Sequence, residues 1–461
     1  MEKNKYWTQE LINGYVESIK KQENLNADLH NHTTGSDGRQ SPLMMLLRAS
    51  NRGKNIVSMS DHNSVKGYTF LKMQIVEILE KLENLKNKED ITYEEKEKIK
   101  IGAKRILELL EKINLLPASE LVTCYKGCTI ELLAYGVDPE ILEKEIENIN
   151  RGLVPEQTIL YDQVNRIIKE NNIVLDRYFI DNRNDFRKLF FHELKKHPEN
   201  KEYYEKFEGE PEEEMAYAFS IEYLENKNSP LYVDMSTNEI RGIKQVRADF
   251  LRMLENNKDN IKFDENVIAF SHVVTEQFYI EMVKHPENSH LLGQETDCLK
   301  KYIYGELYNP KSNFFIDMSP SRPSIKKTIE AIHKSGGKAF LAHPGRYIKQ
   351  FDVKEEIEEG TILDGVDGIE VFYPMHDKEL QEFLLNICKE RGLLVSGGSD
   401  DHRDTKSGSE YKIGTIDLPK IPETEWINES IIQGKEYIKG AQAMREIIAR
   451  LKKLKEEDYE R

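Results

Sequence analysis

Cysteine is scarce, with four in 461 residues, at positions 124, 128, 298 and 388. Disulfide scaffolds belong to small secreted folds, and four thiols cannot staple a chain of this length. Cys124 and Cys128 stand four apart with no second pair nearby, which also excludes a cysteine-only zinc site. Reduced thiols are expected. Long apolar runs are missing as well: no stretch approaches the roughly 18 residues of a membrane span. Met1 to Glu10 is polar and charged, without the apolar centre of a signal peptide, so a cytoplasmic protein is the expectation. Nor is there a surplus of positive charge, since 66 Lys and Arg face 82 Asp and Glu for a net −16. A long groove tracking a nucleic-acid backbone needs clustered cations and is not expected. A local basic pocket for one phosphate is still allowed.

What the chain does have is length and pattern. At roughly 100–200 residues per domain it has room for two to four units, one of which can be a large α/β barrel. Short apolar runs at 26–29, 56–60, 115–119, 338–342, 367–372 and 393–397 alternate with helical stretches, the signature of βα units around a parallel sheet. Within 66–113, Leu71, Ile75, Ile78, Leu82 and Leu85 recur at helical steps, as do Ile106, Leu109 and Ile113, predicting a helical hairpin. A helical insertion is expected over 139–263, a second barrel segment over 264–419, and closing helices at 423–433 and 440–456 within 420–461. The segment 1–138 then forms the first part of the barrel.

Most of the predicted strands end beside a residue capable of metal or proton chemistry. The first is followed by His30-Asn31-His32 and then Asp37, the second by Asp61-His62, the third by Glu120, the fourth by His343 and the last by Asp400-Asp401-His402. Period-two alternation puts His30 and His32 on one side of an extended segment. Two imidazoles with a nearby carboxylate suit a divalent transition metal. Buried charge is costly unless it is paired or metal-bound, so a chance scatter explains this set poorly. His192, His197, His285, His290 and His333 lack such partners and read as ordinary surface or core histidines.

His30-x-His32, Asp37, Asp61-His62, Glu120, Ala342-His343-Pro344 and Gly398-Ser399-Asp400-x-His402 resemble, in order, the motifs of the PHP (polymerase and histidinol phosphatase) superfamily. The resemblance covers about 24–136 and 263–419. It implies a distorted (β/α)7 barrel that hydrolyses phosphate esters with two or three divalent ions, Mn, Fe or Zn. It also implies His30, His32, Asp37, His62, Glu120, His343, Asp400 and His402 as ligands, with Asp400 accepting the proton of the attacking water. Asp61 is expected to orient His62, as ligating histidines usually have such a partner. Where similar members carry a further ligand histidine, this chain has Glu131, a harder donor that suits Mn or Fe and leaves metal number and identity open.

The nucleotide-directed branch of the superfamily also has an Arg-Pro-His element, for which Ser271-His272 is the nearest counterpart, making His272 a candidate ligand or substrate contact. Residues 321–349 hold seven Lys or Arg against one Glu, and Arg322 and Arg346 are the candidate phosphate contacts. The resemblance therefore implies a phosphoesterase acting on nucleotides or short oligonucleotides. A histidinol-phosphatase-like enzyme is the first alternative. A regulatory module whose insertion recruits a protein partner is the second. The insertion is expected to cap the metal pocket, with Tyr217, Phe219, Tyr223 and Tyr232 available to stack on a base or to form its own core. Its Arg241, Lys244, Arg247 and Arg252 could face a phosphate or water.

Overall fold

The computed structural model describes residues 23–88, 90–154, 309–347, 353–402, 412–437 and 441–456, with single residues and short stretches between 159 and 289. The chain divides into two compact units, Met1–Leu153 with Arg322–Arg461, and Val154–Ser321. These bounds differ from the insertion read at 139–263. Helix Pro139–Asn150 lies in the first unit because its Leu142 and Ile146 are buried in that unit's strand core.

The first unit is mixed α/β. Its strands are β1 (Asn24–Leu25), β2 (Ala27–Asp28), β3 (Ile56–Val57), β4 (Asn114–Leu115), β5 (Ala118–Tyr125), β6 (Cys128–Tyr135), β7 (Lys338–Leu341), β8 (Gly368–Phe372), β9 (Leu394–Gly397) and β10 (Leu418–Pro419). They form three sheets: an antiparallel pair β1–β10, a parallel trio β2–β3–β4, and a five-stranded sheet in the order β5–β6–β7–β8–β9. The all-parallel expectation fails at β5–β6–β7, whose pairings are antiparallel. The cause is local. Lys126 and Gly127 both have positive φ, at 49° and 82°, as a two-residue hairpin turn requires.

No single closed barrel forms from these named strands, but the edges of the two larger sheets meet on both sides. The Leu29 N–H donates to the Gly397 carbonyl at 3.2 Å, and Asn31 bridges Asp401 in parallel register. On the other side His62 bridges Glu120, and the Asn63 N–H donates to the Glu120 carbonyl at 2.8 Å. The close approach of β9 to the end of β2 depends on Gly398, where a Cβ would stand 2.3 Å from the His30 nitrogen.

The helices of this unit are α1 (Pro42–Asn51), α2 (Lys66–Lys86), α3 (Tyr93–Lys112), α4 (Pro139–Asn150), α5 (Ile325–Lys334), α6 (Val353–Glu359), α7 (Lys378–Arg391), α8 (Trp426–Tyr437) and α9 (Ala441–Glu456). Local chemistry sets their ends. Ser41 caps α1 ahead of Pro42, Thr92 and Glu95 form a reciprocal capping box on α3, and Gly392 ends α7 in the left-handed region. Helices α1, α2, α3 and α9 share a core of their own, built from Leu46, Ile75, Leu79, Ile99, Leu107 and Leu451 among others. No helix among the described residues is long and apolar enough to cross a membrane.

Described residues of the second unit are in helix, turn or irregular segments such as 315–318, with no strand among them. Phe219 is fully buried, with ring centroids 5.5 Å from Phe191 and 5.1 Å from Tyr223. These two expected stacking residues thus belong to an aromatic core inside the unit, and Tyr217 and Tyr232 lie outside the described residues, as do Arg241, Lys244, Arg247 and Arg252.

Candidate metal centre

Residues following β2, β3, β7 and β9, together with Glu120 of β5 and Glu131 of β6, converge on one pocket. Glu120 is its centre. Its Oε2 lies 3.2 Å from His30 Nε2, His32 Nε2 and His62 Nδ1, and its Oε1 lies 2.8 Å from His343 Nε2. Asp400 Oδ1 faces the same imidazoles, at 3.4 Å from His30, 3.2 Å from His32 and 3.3 Å from His402 Nδ1. Asp37 approaches from the exposed side, with His402 Nε2 at 3.3 Å, His32 Nδ1 at 3.6 Å and His62 Nε2 at 3.7 Å. Glu131 sits at the far edge, 3.4 Å from His343 Nε2 and 3.8 Å from His62 Nδ1, and its Oε2 accepts from the Tyr347 hydroxyl at 3.1 Å.

The backbone is bent to achieve this. His343 and Asp400 have φ of 23° and 55°, and Asn63, directly after His62, has 46°. Side chains rarely adopt the left-handed region unless surrounding structure holds them there, and such residues gather at functional sites. Here two of the three carry a candidate ligand.

Electrostatics point the same way. Burial alone would drive the proton off His32, but hydrogen bonds to Asp400 and Glu120 outweigh it and lift its pKa to about 10. His30 is also held well above the usual imidazole range: burial opposes the proton, and Glu370, Glu120 and Asp400 more than offset it. Burial would raise Glu120 and Asp400, yet the imidazoles keep both well below the carboxylate range. Without another cation, protons neutralise the acidic groups. Even so, His30 Nε2, both nitrogens of His32, His62 Nδ1, His343 Nδ1 and Asp400 Oδ1 are buried without a properly directed hydrogen bond. Orphaned buried polar atoms are rare and costly, and these are lone-pair donors of the kinds that divalent ions take.

The donors fall into overlapping sets whose ligand atoms lie within 4.8 Å of one another. One set is His32, Asp37, His62 and His402; another is His30, His32, Glu120 and Asp400; a third is His62, Glu120 and Glu131; and a fourth is His30, His343 and Glu370. These residues fit a divalent-metal centre.

Other expected site residues are placed differently. Asp61 does not orient His62. Its carboxylate accepts from the Thr33 N–H at 2.7 Å, the Thr33 hydroxyl at 2.8 Å and the Ser36 hydroxyl at 2.9 Å, tying down the loop between His32 and Asp37. The reason is geometric: parallel pairing of β2 with β3 brings the Thr33 loop over Asp61. Arg346 is 46% exposed at the rim, its Nη1 3.5 Å from Asp400 Oδ2, which also accepts from the Tyr373 hydroxyl at 2.9 Å. Arg322 is half-buried just ahead of α5, and His272 lies outside the described residues. His333 is a surface residue paired with Asp367 at 2.7 Å.

Two contributors carry no motif. Glu370, in the middle of β8, accepts from His30 Nδ1 at 2.9 Å and from the His343 N–H at 2.9 Å. His376 holds the turn after His343, with Nδ1 on the Val371 carbonyl at 2.8 Å and the Gly345 N–H donating to Nε2 at 3.0 Å. Accepting through Nε2 needs a neutral ring, and burial pushes this imidazole down to about 4. A lone carboxylate inside the apolar run Gly-Ile-Glu-Val-Phe was the available signal for Glu370.

No family model matches the chain. The 3′,5′-nucleoside bisphosphate phosphatase of Chromobacterium violaceum is 36% identical over 109 residues, 22% of this chain and 36% of that protein. The 5′-3′ exoribonuclease Rnm of Escherichia coli is 31% identical over 107 residues, 23% of this chain and 34% of that enzyme. The chain thus spans about a third of the length of the curated relatives it matches. Among solved structures, an amidohydrolase from Chromobacterium violaceum superposes with a TM-score of 0.42 at 17% identity, covering 88% of this chain and 96% of the other. A protein assigned as a metal-dependent phosphoesterase from Bifidobacterium adolescentis gives 0.38 at 18%, covering 88% and 95%. The stretches similar to the bisphosphate phosphatase and the exoribonuclease amount to 22% and 23% of this chain, and they stand beside ordered His, Asp and Glu residues gathered into one pocket.

Proposed function

We propose that the chain is a metal-dependent phosphoesterase acting on nucleotides or short oligonucleotides, with two or three ions of Mn, Fe or Zn. The observation that carries this reading is the set of six buried, undirected nitrogen and oxygen atoms on His30, His32, His62, His343 and Asp400. The names of the matched relatives, a nucleoside bisphosphate phosphatase and an exoribonuclease, support the substrate class. The meeting of the sheet edges at Leu29–Gly397 and His62–Glu120 supports a distorted barrel whose strand ends form the catalytic rim.

In this reading Asp37, His62 and His402 would hold one ion and His30, Glu120 and Asp400 another, with the single lone pair of a neutral His32 going to one of the two. Glu131, with His62 and Glu120, is available to a third. Bound divalent ions supply Lewis acidity and a nucleophilic water near neutral pH. With such ions bound, Asp400 would be placed to accept a proton from an attacking water. Its other oxygen is held by the Tyr373 hydroxyl, which keeps the accepting oxygen turned toward the imidazoles. Arg346, exposed at the rim, binds the phosphate through its planar fork.

Metal analysis of protein purified without chelator, followed by a panel of a 3′,5′-bisphosphate, a mononucleotide, a short oligoribonucleotide and histidinol phosphate, tests the reading. Two or three equivalents of ion with turnover of the nucleotide substrates is the expected result. Metal-free protein without activity favours the binding module, and a preference for histidinol phosphate favours the small-molecule phosphatase.

A further inference from the structure

We infer that Glu370 is a positioning residue for the metal pocket: one carboxylate fixes the ring of His30 with one oxygen and clamps the turn at His343 with the other. This goes deeper into the metal reading above and rests on it. Glu370 is fully buried in β8, outside the ordered motifs. Oε1 lies 2.9 Å from His30 Nδ1, and Oε2 accepts the His343 N–H at 2.9 Å. A carboxylate in that position requires the hydrogen on Nδ1. In the neutral ring that a metal requires, the lone pair of His30 is then on Nε2, the nitrogen that faces Glu120 and Asp400 and has no directed hydrogen bond. Histidine ligands are commonly oriented in this way, through the ring nitrogen that does not meet the metal.

The second contact acts on backbone. His343 sits at φ 23°, a conformation that needs outside support, and its N–H is held by Glu370 while His376 holds the Gly345 N–H two residues on. A single side chain therefore couples two candidate ligands that are far apart in sequence, His30 and His343. Glu370 is better suited to this role than to ligation, because both of its oxygens are already engaged and it lies on the Nδ1 side of His30, away from the Glu120 and Asp400 oxygens.

The test uses the full chain, stripped with chelator and titrated with Co2+, read by calorimetry and by visible absorption of the bound ion. Glu370→Gln keeps the volume but offers one acceptor where two are needed; Glu370→Ala removes both. Both variants are expected to bind Co2+ roughly 10–100-fold more weakly, as loss of such partners does, with altered absorption bands and unchanged far-ultraviolet dichroism. If Glu370→Ala does not fold, Glu370→Gln carries the test alone. A folded Glu370→Gln with wild-type affinity and wild-type bands overturns the inference. Failure of the wild-type chain itself to bind Co2+ overturns the metal reading instead, so the two failures are told apart.

Discussion

The strand core and the helical core of the first unit are built from the same aliphatic residues, yet only one of them surrounds charge. Around the strands, Ala27, Leu121, Leu132, Phe340, Ile369 and Val395 enclose fully buried His30, His32, Glu370 and Ser396. Between α1, α2, α3 and α9, Ile75, Leu79, Ile99, Ala103 and Leu451 meet with no buried charged side chain on α2 or α3. Burying ionisable groups costs free energy unless something compensates. The strand core carries that cost at the ends of its strands, where the backbone at His343 and Asp400 is also strained. The helical core carries none. One region should therefore respond to mutation through metal and chemistry, the other through stability alone.

The sharpest way to break that contrast is to remove the imidazole pair. His30→Ala with His32→Ala should abolish metal loading and lower phosphatase turnover on an aryl phosphate by roughly a thousandfold or more, the several kcal/mol that metal charge stabilisation supplies. Helical content should stay unchanged, since α2, α3 and α9 pack elsewhere. Full turnover by a metal-free double variant would end the proposed function. The mirror experiment is Ile99→Ala in the helical core. Ile99 is fully buried, so truncation should cost about 2–5 kcal/mol through lost contacts and a residual cavity. Metal per folded molecule should match wild type. A loss of metal proportionate to the loss of stability would show that the two cores are not separable.

The same contrast explains what was legible in the sequence. His-x-His, Asp-His, Glu120, His343 and Asp400-x-His402 stand out because each couples a polar group to the end of a short apolar run, a pattern written locally. Their partners are not local. Glu370 meets His30 across 340 positions, and nothing near Glu370 announces that contact. Asp61 stands beside His62 in sequence but bonds to Thr33, because strand pairing rather than adjacency decides which loop lies over it. The antiparallel turn at Lys126-Gly127 was readable as a hairpin signal, and the run of βα units masked it. The helices 66–113 were visible through a plain three- and four-residue repeat, which is what a core without polar duties produces.

A third prediction concerns pH and the metal-free protein. The folded pKa of His32, about 10, lies above its ordinary value of 6.5. Its proton therefore stabilises the fold fully below about 6.5, and that contribution drains away as pH rises towards 10. Thermal melts of chelated protein should show a midpoint that falls from pH 7 to 10. In His32→Ala the slope should be shallower, whereas Ile99→Ala should keep the wild-type slope from a lower starting point. With metal bound the trend should weaken, because ions replace those protons and bind more tightly as pH rises. Equal slopes in chelated wild type and His32→Ala would remove His32 from the account.

The smallest effect is expected where the helical core reaches solvent. Arg450 of α9 donates through Nε to Glu83 Oε1 of α2 at 3.0 Å, with side chains 45% and 30% exposed. Glu83 is held below the usual carboxylate range, first by its hydrogen bond to Arg450. An ion pair this wet gains little, because water screens the attraction and two long side chains must be ordered to make it. Arg450→Ala should therefore cost no more than about 1 kcal/mol, less at high salt. The docking of α9 rests instead on Ile447, Leu451 and Leu454, which stay buried in the variant. Denaturant melts at low and high salt measure it, with metal content read on the same samples. A loss of several kcal/mol, or any change in metal content, would mean that charge at the edge of the helical core is coupled to the strand ends, and the division between the two cores would fail at its weakest point.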